Sequence, residues 1–448
     1  MKQISSELLQ KIHAGNATIG IIGLGYVGLP LAVAFSGKLR VIGYDTNPDT
    51  ISTLNSGHSH ILDVPDEDIK KRIASGTLSI TSEPSDIHAC DAIIICVPTP
   101  LTSNKIPDLS YVQQSCRTIS SNIRKGQLII LESTTYPGTT EEIVIPILEQ
   151  SGLTATKDFG VAYSPERIDP GNKRYSVSEI PKVIGGFTQD DTETAAALYN
   201  VIIEHIVPVA DTRTAEAVKM IENIYRNVNI ALANELALIF EHMGVNSWQA
   251  IDAAATKPYG FMPFYPGPGI GGHCIPLDPY YMSYQAKKYG FIPRFIETSG
   301  EINTFMQMHV ANLIAEGLKK AGLSVNGTCI SIFGLAYKKN IDDTRESPAI
   351  PIIEELTRRG AILKLYDPHV NTISEGEKSI NSETDINSAL KCSECAVLLT
   401  DHDEFTSPDF MKQIEASPLK VIIDCRNIFS TPPIGKIYLG IGKPHTHE

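Results

Sequence analysis

Cys274 closes the stretch GPGIGGHC (267–274), behind Gly269, Gly271 and Gly272, and Asp278 follows four residues later. A cysteine placed behind so flexible a backbone is not strand or helix filler. The pattern exposes its sulfur on a loop, with backbone N–H donors nearby. Beside a nicotinamide, such a thiol suits one chemistry. It adds to an aldehyde, the adduct gives up hydride, and the resulting thioester is hydrolysed. Asp278 is a candidate base or water-orienting group, and His273 is a candidate for tuning the thiol.

A site for the nicotinamide cofactor is written near the other end. Gly23, Gly25 and Gly28 form a GxGxxG around Tyr26 and Val27, after the apolar run Ile19–Ile22 and before an apolar helix. Asp45 ends a second strand, seventeen residues after Gly28. Glycines there permit a tight turn and close backbone approach, so that a pyrophosphate rests on free helix N–H groups. An acid at the second strand end accepts from ribose hydroxyls and repels a 2′-phosphate, which favours NAD over NADP. Val97-Pro98-Thr99-Pro100 ends another strand at the carboxyl edge, where Pro98 and Thr99 are expected to line the cofactor.

The elements that must position these groups can be read along the chain. Strands at 19–22, 41–45, 92–97, 128–131 and 159–163 alternate with helical stretches, which implies a parallel sheet with helices on both faces. Residues 214–243 contain no proline or glycine and predict a helix of about 30 residues, some 45 Å long at about 1.5 Å per residue. Its second half is apolar nearly all round, so burial against other helices is expected, with a central spine and dimer surface as its role. A second strand–helix–strand unit follows at 328–368. It ends in Asp367, and Tyr337, Lys338 and Lys339 stand in place of the glycine turn. Further strands are expected at 396–399 and 421–424. The expected fold is α/β: two Rossmann-like, doubly wound parallel-sheet domains joined by a long central helix and a helical middle domain. Boundaries are drawn at 1–205, 206–312 and 313–448.

Composition narrows the function. A chain of 448 residues is too long for one ordinary core. A net charge of −13 argues against broad nucleic-acid or anionic-membrane contact. No apolar run approaches the roughly 18–20 residues that span a bilayer. The polar, amphipathic N-terminus reads as a short helix packed on the body rather than a secretory signal. The eight cysteines are scattered, several in strand-like runs, which fits reduced thiols in a cytoplasm. Cys392 and Cys395 form a CxxC without a second pair, so no metal site is expected.

The motifs GLGYVGLPLA (23–32), VPTPL (97–101), ESTTYPGTT (132–140), SPERIDPG (164–171), KMIENIYR (219–226), PGPGIGGHCIPLD (266–278), FGLAYKKNIDDTRESPA (333–349) and DCRN (424–427) together resemble the UDP-glucose/GDP-mannose dehydrogenase family. These nucleotide-sugar 6-dehydrogenases use two NAD⁺ to oxidise a sugar alcohol to a uronate. The resemblance implies that Cys274 is the nucleophile of the second oxidation, and that Lys219 and Asn223 stabilise the oxyanion and hold the reacting oxygen. Those two residues are i and i+4, on one helix face. It further implies that Thr134 binds water, that Glu166 serves thioester hydrolysis and that Asp278 works beside the cysteine. Arg345 is expected on the cofactor and Lys339 on the substrate's nucleotide end. Arg167, Tyr265 and Gly271 are the further residues expected to line the substrate.

His273, Ile275 and Leu277 around the cysteine, Arg167 in SPERIDPG and the loop KPYGFMPFYPGPG (257–269) depart from the UDP-glucose enzymes. They look like the branch acting on UDP-N-acetylhexosamines. UDP-GlcNAc is the expected substrate, with UDP-GalNAc, UDP-ManNAc and UDP-glucose as alternatives. The expected assembly is a homodimer through the central helix. A two-electron NAD dehydrogenase would need neither Cys274 nor a third domain. A silent nucleotide-binding scaffold would not need the set Thr134, Glu166, Lys219, Asn223, Cys274 and Asp278.

Overall fold

The computed structural model describes residues 2–61, 64–102, 104–167, 177–375 and 378–444; the end of SPERIDPG, 168–171, lies outside them. The chain packs as two compact units, Met1–Glu222 with Tyr280–Phe291, and Asn223–Pro279 with Ile292–Glu448. The segment 206–312 is thus divided between them, and the division falls inside one helix, Thr212–Met243.

In the first unit the described strands are β1 (Thr18–Ile22), β2 (Arg40–Tyr44), β3 (Leu78–Thr81), β4 (Ala92–Ile95), β5 (Leu128–Leu131), β6 (Gly160–Tyr163), β7 (Lys182–Gly186) and β8 (Ile206–Pro208). They form one sheet in the order β3-β2-β1-β4-β5-β6-β7-β8. β4 is buried from end to end because both faces are covered. Ile94 joins one core with Phe35 and Tyr199, while Ile93 and Ile95 join the other with Cys116 and Leu148. The strand order reverses between β1 and β4, which is where such sheets receive ligands. The expectation of a wholly parallel sheet needs one correction. β7 runs antiparallel to β6, pairing Ala162 with Gly186 and Tyr163 with Gly185. Periodicity specifies a strand but not its direction, which follows from the path of the preceding connection. The N-terminal helix Lys2–His13 buries Leu8 and Ile12 and reaches Asp91 through Lys11 at 2.7 Å.

In the second unit β9 (Cys329–Phe333), β10 (Ile362–Tyr366), β13 (Cys395–Leu398), β14 (Val421–Asp424) and β15 (Ile437–Gly440) make a parallel sheet ordered β10-β9-β13-β14-β15. β11 (Thr372–Glu375) and β12 (Lys378–Asn381) form an antiparallel pair. β10 lies at an edge and carries Lys364, a charge that blunts pairing with another chain.

The second half of the long helix is not buried all round. Ala231, Asn234 and Ala237 face the core, but Leu232 and Met243 are 50% and 65% exposed. An apolar stripe is left on the outer face.

Candidate active site

The residues singled out in the sequence divide between the two units. In the first, Gly23 N–H donates to Tyr44 O at 2.9 Å, and Gly23 adopts φ +89°, with Cys96 O only 2.8 Å from where a Cβ would stand. A Cβ on Gly28 would lie 1.8 Å from Gly23 O, so only glycine lets the helix Gly28–Ser36 begin against the turn. At Gly25 a Cβ would meet open space, leaving the backbone approachable. Asp45 Oδ2 accepts from Leu24 N–H at 2.8 Å, and its Oδ1 accepts from Asn47 N–H at 2.9 Å. It stays partly exposed at the strand end, and Tyr26 is 42% exposed. This open glycine turn at a helix N-terminus, with an acid beside it, fits the diphosphate and ribose of NAD.

The strand-end loops around that turn are tied down. Ser133 Oγ donates to Val97 O at 2.7 Å, and Tyr281 Oη donates to Thr99 O. Glu216, fully buried, accepts from Gly138 N–H at 2.5 Å, Thr140 N–H at 2.8 Å and Thr140 Oγ1 at 2.7 Å, which fixes the loop carrying Thr134. Burial pushes the Glu216 carboxyl up to about 7. Lys219, one helical turn further along, donates its buried ammonium to the Glu166 carbonyl at 2.6 Å. The Arg167 guanidinium is held by Glu222 at 2.7 Å and Pro181 O at 2.6 Å.

In the second unit, Asn223 Nδ2 donates to Asp278 Oδ2, and Asp278 opens the helix Asp278–Lys288. The chain between them turns at Cys274, whose carbonyl accepts from Leu277 N–H at 3.1 Å and Asp278 N–H at 2.8 Å. Cys274 itself is partly exposed. Asn223 is one of a series. Asn227 Nδ2 donates to Ile275 O at 3.1 Å, and Asn234 Oδ1 accepts from Gly267 N–H at 2.9 Å. Three asparagines on one helix therefore hold both ends of the cysteine loop. Sequence reasoning singled out only Asn223. The signal for the others was their spacing of four and eleven residues along the same face.

Two of the glycines before the cysteine are also required by packing. A Cβ on Gly271 would stand 2.5 Å from Tyr337 Cβ, and one on Gly272 would stand 2.9 Å from the Tyr337 ring. Gly272 N–H donates to Arg345 O at 3.0 Å and so is not a spare donor. These glycines let the loop lie flat on Tyr337. Arg345 Nε and Nη2 clasp Asp343 at 2.6–3.1 Å, and Lys339 stands 3.7 Å from Asp403. Tyr265 stacks on Trp248 at 5.3 Å, and its hydroxyl donates to Asp252 at 2.7 Å. Arg426 of DCRN, which had no assigned role, packs its guanidinium against Gly267 and donates to Leu399 O at 3.0 Å.

Family models for the UDP-glucose/GDP-mannose dehydrogenase family match three stretches: the NAD binding domain over 17–203, the central domain over 213–305 and the UDP binding domain over 331–431. The chain belongs to this family. A UDP-N-acetyl-D-mannosamine dehydrogenase of Pyrococcus horikoshii is 37% identical over 428 residues, covering 95% of this chain and 99% of that protein. A solved structure of that activity from the same organism superposes with a TM-score of 0.88 at 38% identity, over 95% of this chain and 99% of that one. A UDP-N-acetyl-D-glucosamine 6-dehydrogenase of Pseudomonas aeruginosa is 40% identical over 355 residues, 79% of this chain and 83% of that protein. The chain is an NAD-dependent nucleotide-sugar dehydrogenase with a UDP binding domain in its last third. No helix among the described residues is long and apolar enough to cross a membrane.

Proposed function

We propose that the protein oxidises C6 of a UDP-N-acetylhexosamine, UDP-GlcNAc before its epimers, to the uronate in two hydride transfers. The observation that carries this reading is the partly exposed Cys274, seated on a turn pinned by Asn223, Asn227 and Asn234, with the Asp278 carboxylate at the turn's end. NAD held at Gly23–Gly28, Asp45, Pro98 and Thr99 supplies the hydride acceptor. The Cys274 thiolate adds to the C6 aldehyde, and loss of hydride from that adduct leaves a thioester. Water, placed by Thr134 and deprotonated by Glu166 or Asp278, then releases the carboxylate and restores the thiol. Lys219 and Asn223 face the developing oxyanion. This role requires the Lys219 ammonium to exchange the Glu166 carbonyl for substrate. Arg345, Lys339, Arg167, Tyr265 and Gly271 are assigned to cofactor and substrate binding.

The Pseudomonas relative supports UDP-GlcNAc. UDP-ManNAc, its C2 epimer, is the second reading, because the Pyrococcus relative matches over nearly the whole chain. The outward stripe of Tyr225, Leu232, Ile239 and Met243 supports a homodimer through the long helix, and a cytoplasmic location follows from the cofactor and substrate. The test is NADH yield with each UDP-sugar, on wild type and Cys274→Ala. About two NADH per UDP-GlcNAc, lost in the variant, is expected. One NADH per sugar in wild type, or an unchanged yield in the variant, removes the thioester route. Turnover of UDP-ManNAc alone transfers the reading to that epimer.

A further inference from the structure

Glu132 follows β5 and is 1% exposed; Lys182, the first residue of β7, is 6% exposed. The Lys182 ammonium donates to Glu132 Oε1 and stands 3.4 Å from Glu166 Oε2. One cation therefore serves two buried carboxyls. Tyr199 Oη donates to the other oxygen of Glu132, and the Tyr199 ring centroid lies 5.2 Å from Lys182 Nζ. Among the described residues, further ionisable groups near Glu166 are differently engaged. Lys219 meets its backbone carbonyl rather than its carboxylate. Arg167 is spent on Glu222 and Pro181, though its N–H donates to Glu166 Oε1 at 2.8 Å. Cys96, behind β4, has its thiol pushed up by burial and stays neutral.

A structural ion pair needs one carboxylate, and a second one facing the same buried ammonium raises the proton affinity of both. We propose that Glu132 and Lys182 are positioning residues for Glu166. Lys182 holds the Glu166 carboxylate in place, and when Glu166 takes up a proton from the attacking water, the Glu132 carboxylate remains as the counter-charge of Lys182. Proton uptake by Glu166 thus leaves a balanced buried pair. Burial raises the Glu132 carboxyl against the pull of Lys182, and the neighbouring Glu166 adds to the rise. The two facing carboxylates hold the Lys182 ammonium charged despite its burial. This inference rests on the reading of Glu166 as the group that moves a proton in thioester hydrolysis.

The test separates the two. Infrared difference spectra of the ligand-free protein, taken against Glu166→Gln, read the protonated-carboxyl band of Glu166 as a function of pH. In Glu132→Gln, Lys182 faces Glu166 alone, and the midpoint is expected to fall by about one pH unit; in Lys182→Met it is expected to rise by about one to three. The double variant Glu132→Gln with Lys182→Met removes the buried cation together with its nearest anion, which preserves the fold, and it should still show a rise. The pH profile of NADH formation should move its limb in the same directions. Midpoints unmoved in every variant, or moved the same way by Glu132→Gln and by Lys182→Met, overturn the proposal. Shifted infrared midpoints without shifted kinetics keep the charge network but remove Glu166 from the rate-determining step.

Discussion

The two sheets of this chain begin alike and part at a single turn. β1 and β9 both lead into a left-handed glycine, Gly23 and Gly334, whose N–H donates 2.9 Å to the end of the neighbouring strand, at Tyr44 O and Tyr366 O. An acid follows each neighbour, and each accepts from the residue after the glycine: Asp45 from Leu24, and Asp367 from Leu335. There the likeness ends. Gly28 starts a helix at once, whereas Lys339 holds the corresponding place and the next helix waits until Ala349. Asp367 is buried and also accepts from the N–H groups of Ala336, His369 and Val370, while His402 Nε2 donates to it at 3.0 Å. Asn340 N–H donates to His402 Nδ1, so both ring nitrogens are committed. One acid is left for a ligand, and the other is consumed in building its own loop. The same local geometry thus makes a cofactor turn in one unit and a structural knot in the other.

The largest test of that contrast is to delete each acid. Asp367→Ala orphans four backbone N–H groups and a histidine and should cost about 3–5 kcal/mol in denaturant unfolding. Asp45→Ala should leave unfolding nearly unchanged and weaken NAD about tenfold by calorimetry. An equal stability loss for both would break the comparison.

Acid titration sharpens it next, because two buried acids that hold loops have opposite signs. Burial works to raise the Asp367 carboxyl, but His402 and the backbone donors hold it below its ordinary value. Its stabilisation is complete above the unfolded value near 3.9 and is lost as pH falls through the folded one. Glu216, met by N–H and O–H groups, sits at about 7. Its folded form keeps a proton that the unfolded form has released, so it lowers stability by about 3 kcal/mol as pH rises from roughly 4.5 to 7. Unfolding of Glu216→Gln across that window should lack this decline. The smallest contrast is steric. Gly28→Ala forces a Cβ onto Gly23 O and should weaken NAD by at least about tenfold, while Lys339→Ala should change stability by less than about 0.5 kcal/mol.

Much of the frame was legible. β1, β4 and β5 are short apolar runs because helices cover both faces, and Thr212–Met243 announced itself by lacking glycine and proline. β3, β7, β8, β11, β12 and β15 were not foreseen; none of them carries the unbroken run of large apolar residues that marks β4 and β5. The roles of Glu132, Lys182 and Glu216 were invisible, because a charged residue in sequence reads as surface until something is seen to bury it.

Residue order alone determined where the chain turns, which stretches are helical, that Lys219 and Asn223 share a helix face and that Asp278 follows Cys274 by four residues. Those properties depend on near neighbours and on periodicity. Which glycine faces a ligand and which faces Tyr337, whether a terminal acid is open or consumed, and which carboxyl shares the Lys182 charge were decided only by tertiary structure. Such properties depend on atoms tens to hundreds of residues away, and burial is what gives those distant charges their effect.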